Sequence, residues 1–398
     1  MTADAVFVMV HLPYLLVGLV FVNRYLVGAF VRLAPARRVA PVDWPTVTVT
    51  IPCFNEGETI YRTVRSLACM DYPQDRLVIH VIDDASGADT LKALERAVAE
   101  TTNLLVTYRE TNQGKRLNLI EAVRRARSEF ILSVDSDVIV EPDTLKELLR
   151  HLTPEMAAVG GVVRVINPDV NLLTRMQEIK YYVGYELLKG LENRFSHVMC
   201  LSGCLTLFRR GVLLEVEPDL LGRSLLGHDV KYGEDRYLTR KIVERGHRTG
   251  LCQTAVCYTK VPETFSAWFG QQLRWRRSNI VDFLGGWWRA HLLPLPVAVH
   301  YTSLGALLLL YPLMILYHAL SGDVILTLVA HSGIGALLAS IYMGRSMMGG
   351  KGLQNSNPLP FLAMPLLFMV NYLMLTPLAL LTLVSVSWET RSAEPAHR

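Results

Sequence analysis

From His291 to Trp388 the chain carries almost no charge, whereas charged residues crowd the stretch between Arg32 and Arg289. A chain so divided does not bury both parts in one soluble core, and a bilayer is the solvent its apolar part calls for. Hydrophobic residues fill 51% of the 398 positions, which is high for a wholly soluble protein.

Ala5 to Val22 is an apolar run of 18 residues without Asp, Glu, Lys or Arg, about 27 Å long as a helix and enough to cross a bilayer core. A cleaved signal peptide is the competing reading. The start Met1-Thr2-Ala3-Asp4 has no positive charge and the run is longer than a typical signal core, so a retained span is expected. Leu295 to Leu320, Val324 to Met343 and Pro358 to Val386 are three further stretches of spanning length. Arg32, Arg37 and Arg38 follow the first span, Arg276, Arg277 and Arg289 precede the second, and Arg345 and Lys351 separate the third from the fourth. The positive-inside rule puts these groups in the cytosol, with both termini and the Ser321-Gly322-Asp323 turn outside the cell membrane. Arg391 and Arg398 in the tail pull weakly the other way.

All six cysteines, Cys53, Cys69, Cys200, Cys204, Cys252 and Cys257, fall in the segment assigned to the cytosol, where thiols stay reduced. Cys200/Cys204 and Cys252/Cys257 are spaced loosely for zinc, lie in apolar strand-like runs and lack matching histidines, so they read as structural thiols. The net charge of +4 is small and its basic residues cluster beside the spans. That pattern suits anionic membrane lipids and does not suggest nucleic acid.

Between the spans, β-branched runs at Thr46–Pro52, Leu77–Ile82, Leu104–Tyr108 and Phe130–Val134 alternate with helical patterns at Glu58–Ala68, Ala88–Glu100 and Lys115–Ala126. This alternation predicts an α/β unit with a mainly parallel sheet, whose ligands bind beyond the carboxyl ends of the strands. Asn55-Glu56, Asp83-Asp84 and Asp135-Ser136-Asp137 all fall at those ends. For Asp83-Asp84, helix capping and turn formation compete evenly with ligand binding. Asp135 and Asp137, spaced i and i+2 at the end of a buried strand, need a cation, and hard carboxylate oxygens suit Mg²⁺ or Mn²⁺ bridging to a diphosphate.

Asn112-Gln113-Gly114-Lys115-Arg116 opens a helix with two cations, a natural anion site that could equally be a solvated basic turn. Gly233-Glu234-Asp235-Arg236 opens another, where an acid is either an N-cap or a general base. Phe265 to Arg277, followed by Phe283, Trp287 and Trp288, mixes aromatics with arginines as an interfacial helix does. Within it Gln271, Arg274 and Trp275 share one helical face and could address a sugar instead.

With these residues in view, the chain resembles the membrane-bound, processive members of glycosyltransferase family 2, notably hyaluronan synthases and the chitin-oligosaccharide synthases of nodulating bacteria. The likeness runs from Val47 to Phe283 and rests on an ordered set. The set comprises Ile51-Pro52-Cys53-Phe54-Asn55-Glu56, Ile82-Asp83-Asp84-Ala85-Ser86, Gly114-Lys115-Arg116, Asp135-Ser136-Asp137, Cys200-Leu201-Ser202-Gly203, Tyr232 to Thr239, and Gln271 to Trp275. One leading span and three trailing ones look most like the chitin-oligosaccharide synthases. A departure is Cys204 after Gly203, where those synthases usually carry proline.

The resemblance implies a GT-A-type, Rossmann-like cytosolic catalytic domain (32–260), preceded by a transmembrane helix (1–31). Interfacial helices (261–292), an α-helical transmembrane bundle (293–388) and a tail (389–398) would follow. It implies that Pro52, Phe54, Asn55, Glu56, Asp83, Asp84, Lys115 and Asp135 bind a UDP-sugar donor, with Asp84 and Asp83 on the uridine and Lys115 on the diphosphate. Asp137 and Asp135 would hold Mg²⁺ or Mn²⁺, and Asp235 would be the base. Cys200, Ser202, Gly203, Glu234, Gln271, Arg274 and Trp275 would meet the glycan acceptor and product. The implied reaction is inverting, processive synthesis of a β-linked polymer or oligosaccharide coupled to export. Transfer of one sugar to a membrane lipid, and a non-catalytic subunit that keeps the fold, are the rival expectations.

Overall fold

The computed structural model describes residues 43–225, 227–322 and 370–384, with isolated positions at 8, 12, 15, 16, 325, 328, 329, 332, 333, 336, 339, 340, 360, 361, 363 and 367. The chain divides into two compact units. One comprises Leu33–Ile166, Glu192–Lys260 and Val386–Arg398; the other comprises Met1–Arg32, Asn167–Leu191 and Val261–Ser385. Residues 167–191, which the sequence reading keeps inside 32–260, thus group with the apolar unit.

In chain order the described elements begin with β1 (Val47–Cys53), α1 (Glu58–Ala68), β2 (Leu77–Asp83), α2 (Ala88–Glu100), β3 (Leu104–Tyr108), α3 (Lys115–Arg125) and β4 (Phe130–Val134). They continue with β5 (Val138–Val140), α4 (Thr144–His151), β6 (Met156–Val165), α5 (Leu172–Tyr182), α6 (Lys189–Arg194), β7 (Leu205–Arg209) and α7 (Arg210–Leu221). The short pair β8 (Ser224–Leu225) and β9 (His228–Asp229) leads to α8 (Glu234–Glu244), β10 (Arg248–Thr259), α9 (Phe265–Gly286), α10 (Leu295–Leu320) and α11 (Thr376–Leu381).

The first unit is built on an eight-stranded sheet in the order β3-β2-β1-β4-β7-β6-β10-β5. β1, β2, β3 and β4 pair in parallel, as do β6 and β10. β7 runs antiparallel between β4 and β6, and β5 antiparallel to β10. β1 and β4 are buried along both faces, as strands in the middle of a helix-covered sheet are. Cys53 pairs with Asp83 and Asp83 with Tyr108, so β1, β2 and β3 end level. The loops that follow therefore emerge at one edge, the place such sheets reserve for ligands.

In the second unit α5 begins with a reciprocal cap. The Asn171 side chain accepts from the Thr174 amide at 3.0 Å, and the Asn171 amide donates to the Thr174 hydroxyl at 3.0 Å. Ile179 of α5 packs with Trp268, Leu273 and Ile280 of α9, Phe361, Leu367, Leu375 and Ala379 in one apolar cluster. α10 coincides with the expected second span and is the one helix, among the described residues, long and apolar enough to cross a membrane. The expected spans at Ala5–Val22 and Val324–Met343 lie largely outside the described residues, as do both termini, whereas Pro358–Val386 is described at 370–384, which includes α11, and at four isolated positions.

Candidate active site

The loops after β1 and β2 are built by their own polar side chains. Asn55, at φ +52°, accepts from the Gly87 amide at 2.8 Å, and its own amide donates to the Ser86 hydroxyl at 2.9 Å. Asp83 accepts from the Ser86 amide at 3.2 Å through Oδ2. Its Oδ1 is buried and has no hydrogen-bond partner among the described residues, an acceptor that a bound donor group could satisfy. Asp84 uses both oxygens on the backbone, accepting from Gln113 at 2.8 Å and Gly114 at 2.7 Å. The turn-making role considered for these acids is therefore present, and it fixes the loop that starts α3. Glu56 accepts the Ser136 hydroxyl at 2.7 Å, which links the β1 loop to the acids after β4. Pro52 and Phe54 are half-buried beside it.

Gly114, at φ +87°, delivers Lys115 as the first residue of α3. The Lys115 ammonium lies 2.5 Å from Asp135 Oδ1 and 3.0 Å from Glu234 Oε1, so one cation joins acids about a hundred positions apart in sequence. Gly203 lies against this bridge: a Cβ there would come within 2.6 Å of Lys115 Nζ and 3.2 Å of Asp135. Its amide donates to Asp235 Oδ2 at 3.4 Å, at the long limit of such bonds. The Arg236 amide donates to Asp235 Oδ1 at 2.8 Å. Thr239 donates to the Asp235 carbonyl at 2.7 Å and accepts from the Leu201 amide at 3.0 Å, tying α8 to the Cys200–Gly203 loop.

Burial alone would raise the Glu234 carboxyl, but the Lys115 ammonium outweighs it and holds that group below its ordinary pKa. Asp235 goes the other way. Burial and the neighbouring Glu234 charge push it up, and Lys115 offsets them only in part. Two adjacent acids with opposite shifts divide the work of an active site, one fixed as an anion and one suited to taking a proton. Against the cost of burial, Asp135, Glu234 and Asp235 hold Lys115 well above its ordinary value, and so fully charged.

Among the described residues no group of three or more His, Cys, Asp or Glu side chains forms a metal cage. Asp135 and Asp137 nonetheless suit a Mg²⁺-type ion, which is commonly held by one or two carboxylates together with substrate phosphates. None of the six cysteines forms a disulfide. Cys252 and Cys257 are buried in β10, but Cys200 and Cys204 are half-buried in the loop before β7, not in a strand. Burial and the charge of Asp135 push the Cys204 and Cys257 thiols well up, so both remain protonated beside the acids.

Sequence reasoning gave no role of its own to Arg116. Its guanidinium donates to the Val230 carbonyl at 2.9 Å and to Asp229 at 2.7 Å, clamping the segment that leads into Glu234. The signal was its place beside Lys115, on the same first turn of α3. In the other unit Gln271, Arg274 and Trp275 are half-buried on α9, and Gln272 Nε2 donates to Gln271 Oε1 at 3.2 Å. Tyr181 of α5 packs against Trp275 with ring centroids 6.2 Å apart, and Tyr185 stacks on Tyr181 at 6.4 Å. Trp287 and Trp288, just past α9, are exposed.

The model of the family described as "Glycosyltransferase like family 2" matches residues 45–278. An N-acetylglucosaminyltransferase of Rhizobium leguminosarum bv. viciae is 30% identical over 374 residues, 91% of this chain and 85% of that protein. Another, from Sinorhizobium fredii, is 30% identical over 361 residues, 88% of this chain and 85% of that protein. A mannosyltransferase from Pyrobaculum calidifontis, solved with GDP-Man and Mn²⁺, superposes with a TM-score of 0.68 at 22% identity. That alignment covers 94% of this chain and 98% of the mannosyltransferase, a likeness of fold.

Proposed function

From the premise that the chain belongs to glycosyltransferase family 2, we propose that it transfers sugar from a UDP-sugar, with inversion, to a growing β-linked oligosaccharide or polysaccharide. N-acetylglucosamine is the first sugar to try, because the relatives at 30% identity are named for its transfer. The observation that carries this reading is the Lys115 bridge between Asp135 and Glu234, with Asp235 raised beside it.

In the proposed step Asp235 takes the proton of the acceptor hydroxyl as its oxygen attacks the anomeric carbon. The bond from that carbon to the diphosphate oxygen breaks, and UDP leaves with the electron pair. Lys115 stabilises the charge growing on the leaving diphosphate, and Glu234, kept anionic, holds Lys115 in place. A divalent ion held by Asp135 and Asp137 would supply further positive charge to the phosphates. Pro52, Phe54, Asn55, Glu56, Asp83 and Asp84 form the donor side. Cys200, Ser202, Gly203 and Glu234 in the first unit, and Gln271, Arg274 and Trp275 in the second, are the residues proposed to meet the acceptor and product.

The proposed organisation is a cytosolic catalytic domain within 32–260, from which 167–191 group with the apolar unit, interfacial helices at 261–292 and membrane spans before and after, through which the product would leave. α10 supports the membrane part by its length and composition. The test is to incubate membranes holding the full chain with single and paired UDP-sugars and Mg²⁺ or Mn²⁺, and to size the product. Oligomers or polymer with free UDP bear the reading out. One lipid-linked sugar replaces it with the lipid-acceptor reaction, and no UDP release from any UDP-sugar discards both.

A further inference from the structure

The motif on α9 is not self-supporting. Gln271 and Trp275 lie four positions apart, and the residue that reaches both through its contacts comes from α5. Lys180 donates to Gln272 Oε1, and Gln272 in turn donates to Gln271 Oε1 at 3.2 Å. The same ammonium stands over the Trp275 ring, 5.4 Å from its centroid. The next residue, Tyr181, packs on that indole as well.

We propose that Lys180 is a positioning residue for the acceptor: it sets the Gln271 amide through Gln272 and holds the Trp275 ring flat for a sugar to stack on. The proposal rests on the reading above that Gln271 and Trp275 meet the acceptor.

Gln272 is almost fully buried, and a buried amide whose oxygen lost its donor would rotate to find another. With its oxygen held by Lys180, its nitrogen is directed to Gln271. Lysine suits the place because one compact ammonium has three donors, enough for an amide oxygen and an aromatic face together. No carboxylate is paired with Lys180 among the described residues, and the charged group that faces it is Arg276 of α9. Burial and that guanidinium bring the Lys180 amine down to about 7. The contact over Trp275 therefore weakens as pH rises through neutrality, when the ammonium becomes a neutral amine.

The experiment uses the full chain in membranes with UDP-N-acetylglucosamine as donor and chitotetraose as acceptor probe, and measures both KM values and kcat. Wild type, Lys180→Met, Lys180→Arg and Trp275→Ala are compared. Lys180→Met is expected to raise the acceptor KM about tenfold, the scale of one lost hydrogen bond to a charged group, and to leave the donor KM unchanged. Lys180→Arg recovers most of that loss. In wild type the acceptor KM climbs between pH 6 and 8.5, while in Lys180→Arg, always charged, it stays level. The pH comparison needs no folded Met variant. A raised acceptor KM in Trp275→Ala with none in Lys180→Met, or equal pH profiles in wild type and Lys180→Arg, overturns the role of Lys180. No change in Trp275→Ala overturns the acceptor reading itself, and this inference with it.

Discussion

The acids around Lys115 and the motif on α9 both depend on one lysine, yet the two lysines are set in opposite ways. Lys115 is surrounded by carboxylates and keeps its charge, whereas Lys180 has an amide, an indole and a guanidinium around it and sits close to losing its charge. The first arrangement stores a fixed charge for an anionic leaving group. The second orients neutral groups, as an uncharged sugar requires. Charge is placed where charge develops, and shape is placed where it does not.

The comparison breaks most visibly at Lys115. In Lys115→Met the three acids lose their shared cation, and turnover, followed as UDP release, should fall about 10²- to 10³-fold with a weaker donor. Normal turnover would mean the bridge is only structural. The second unit offers the contrasting case at Gly305 of α10, where a Cβ would come within 1.9 Å of the Phe283 ring of α9. Gly305→Ala should cost about 1 to 3 kcal/mol of stability, seen as earlier thermal unfolding in detergent, while turnover at low temperature is kept. An unchanged melting curve would show that the two helices part easily. The smallest effect is expected at Arg116. Removing its bonds to Val230 and Asp229 in Arg116→Met should lower kcat about tenfold and spare the fold. A change in donor KM alone would assign Arg116 to the phosphates instead.

The first half of the sheet was legible because local pattern and tertiary role agree there. Runs such as Val47–Cys53 and Phe130–Val134 are rich in β-branched and apolar residues and buried along nearly their whole length, and helical patterns separate them. The far half was not. β7 is five residues long and gains its place between β4 and β6 from pairing with strands distant in sequence, which no local period encodes. The grouping of 167–191 with the apolar unit was hidden for a related reason: α5 has charged residues throughout and only a few apolar contacts, Ile179 among them, decide its company. At the site, the acids were visible as types at strand ends. That Asp84 serves the backbone of Gln113 and Gly114, and that Lys115 joins Asp135 to Glu234, follows from folding and not from spacing.

Asp235 carries the central claim, and kcat against pH tests it most directly, with UDP affinity measured in parallel for wild type and Asp235→Asn. The raised Asp235 carboxyl must be ionised to accept a proton, so wild-type turnover should fall on acidification at a pH above the ordinary carboxylate range of about 4. In Asp235→Asn turnover should drop about 10²-fold or more, the acid limb should vanish, and UDP should bind as before. Near-normal turnover in Asp235→Asn, or an acid limb unchanged by it, would contradict the assignment.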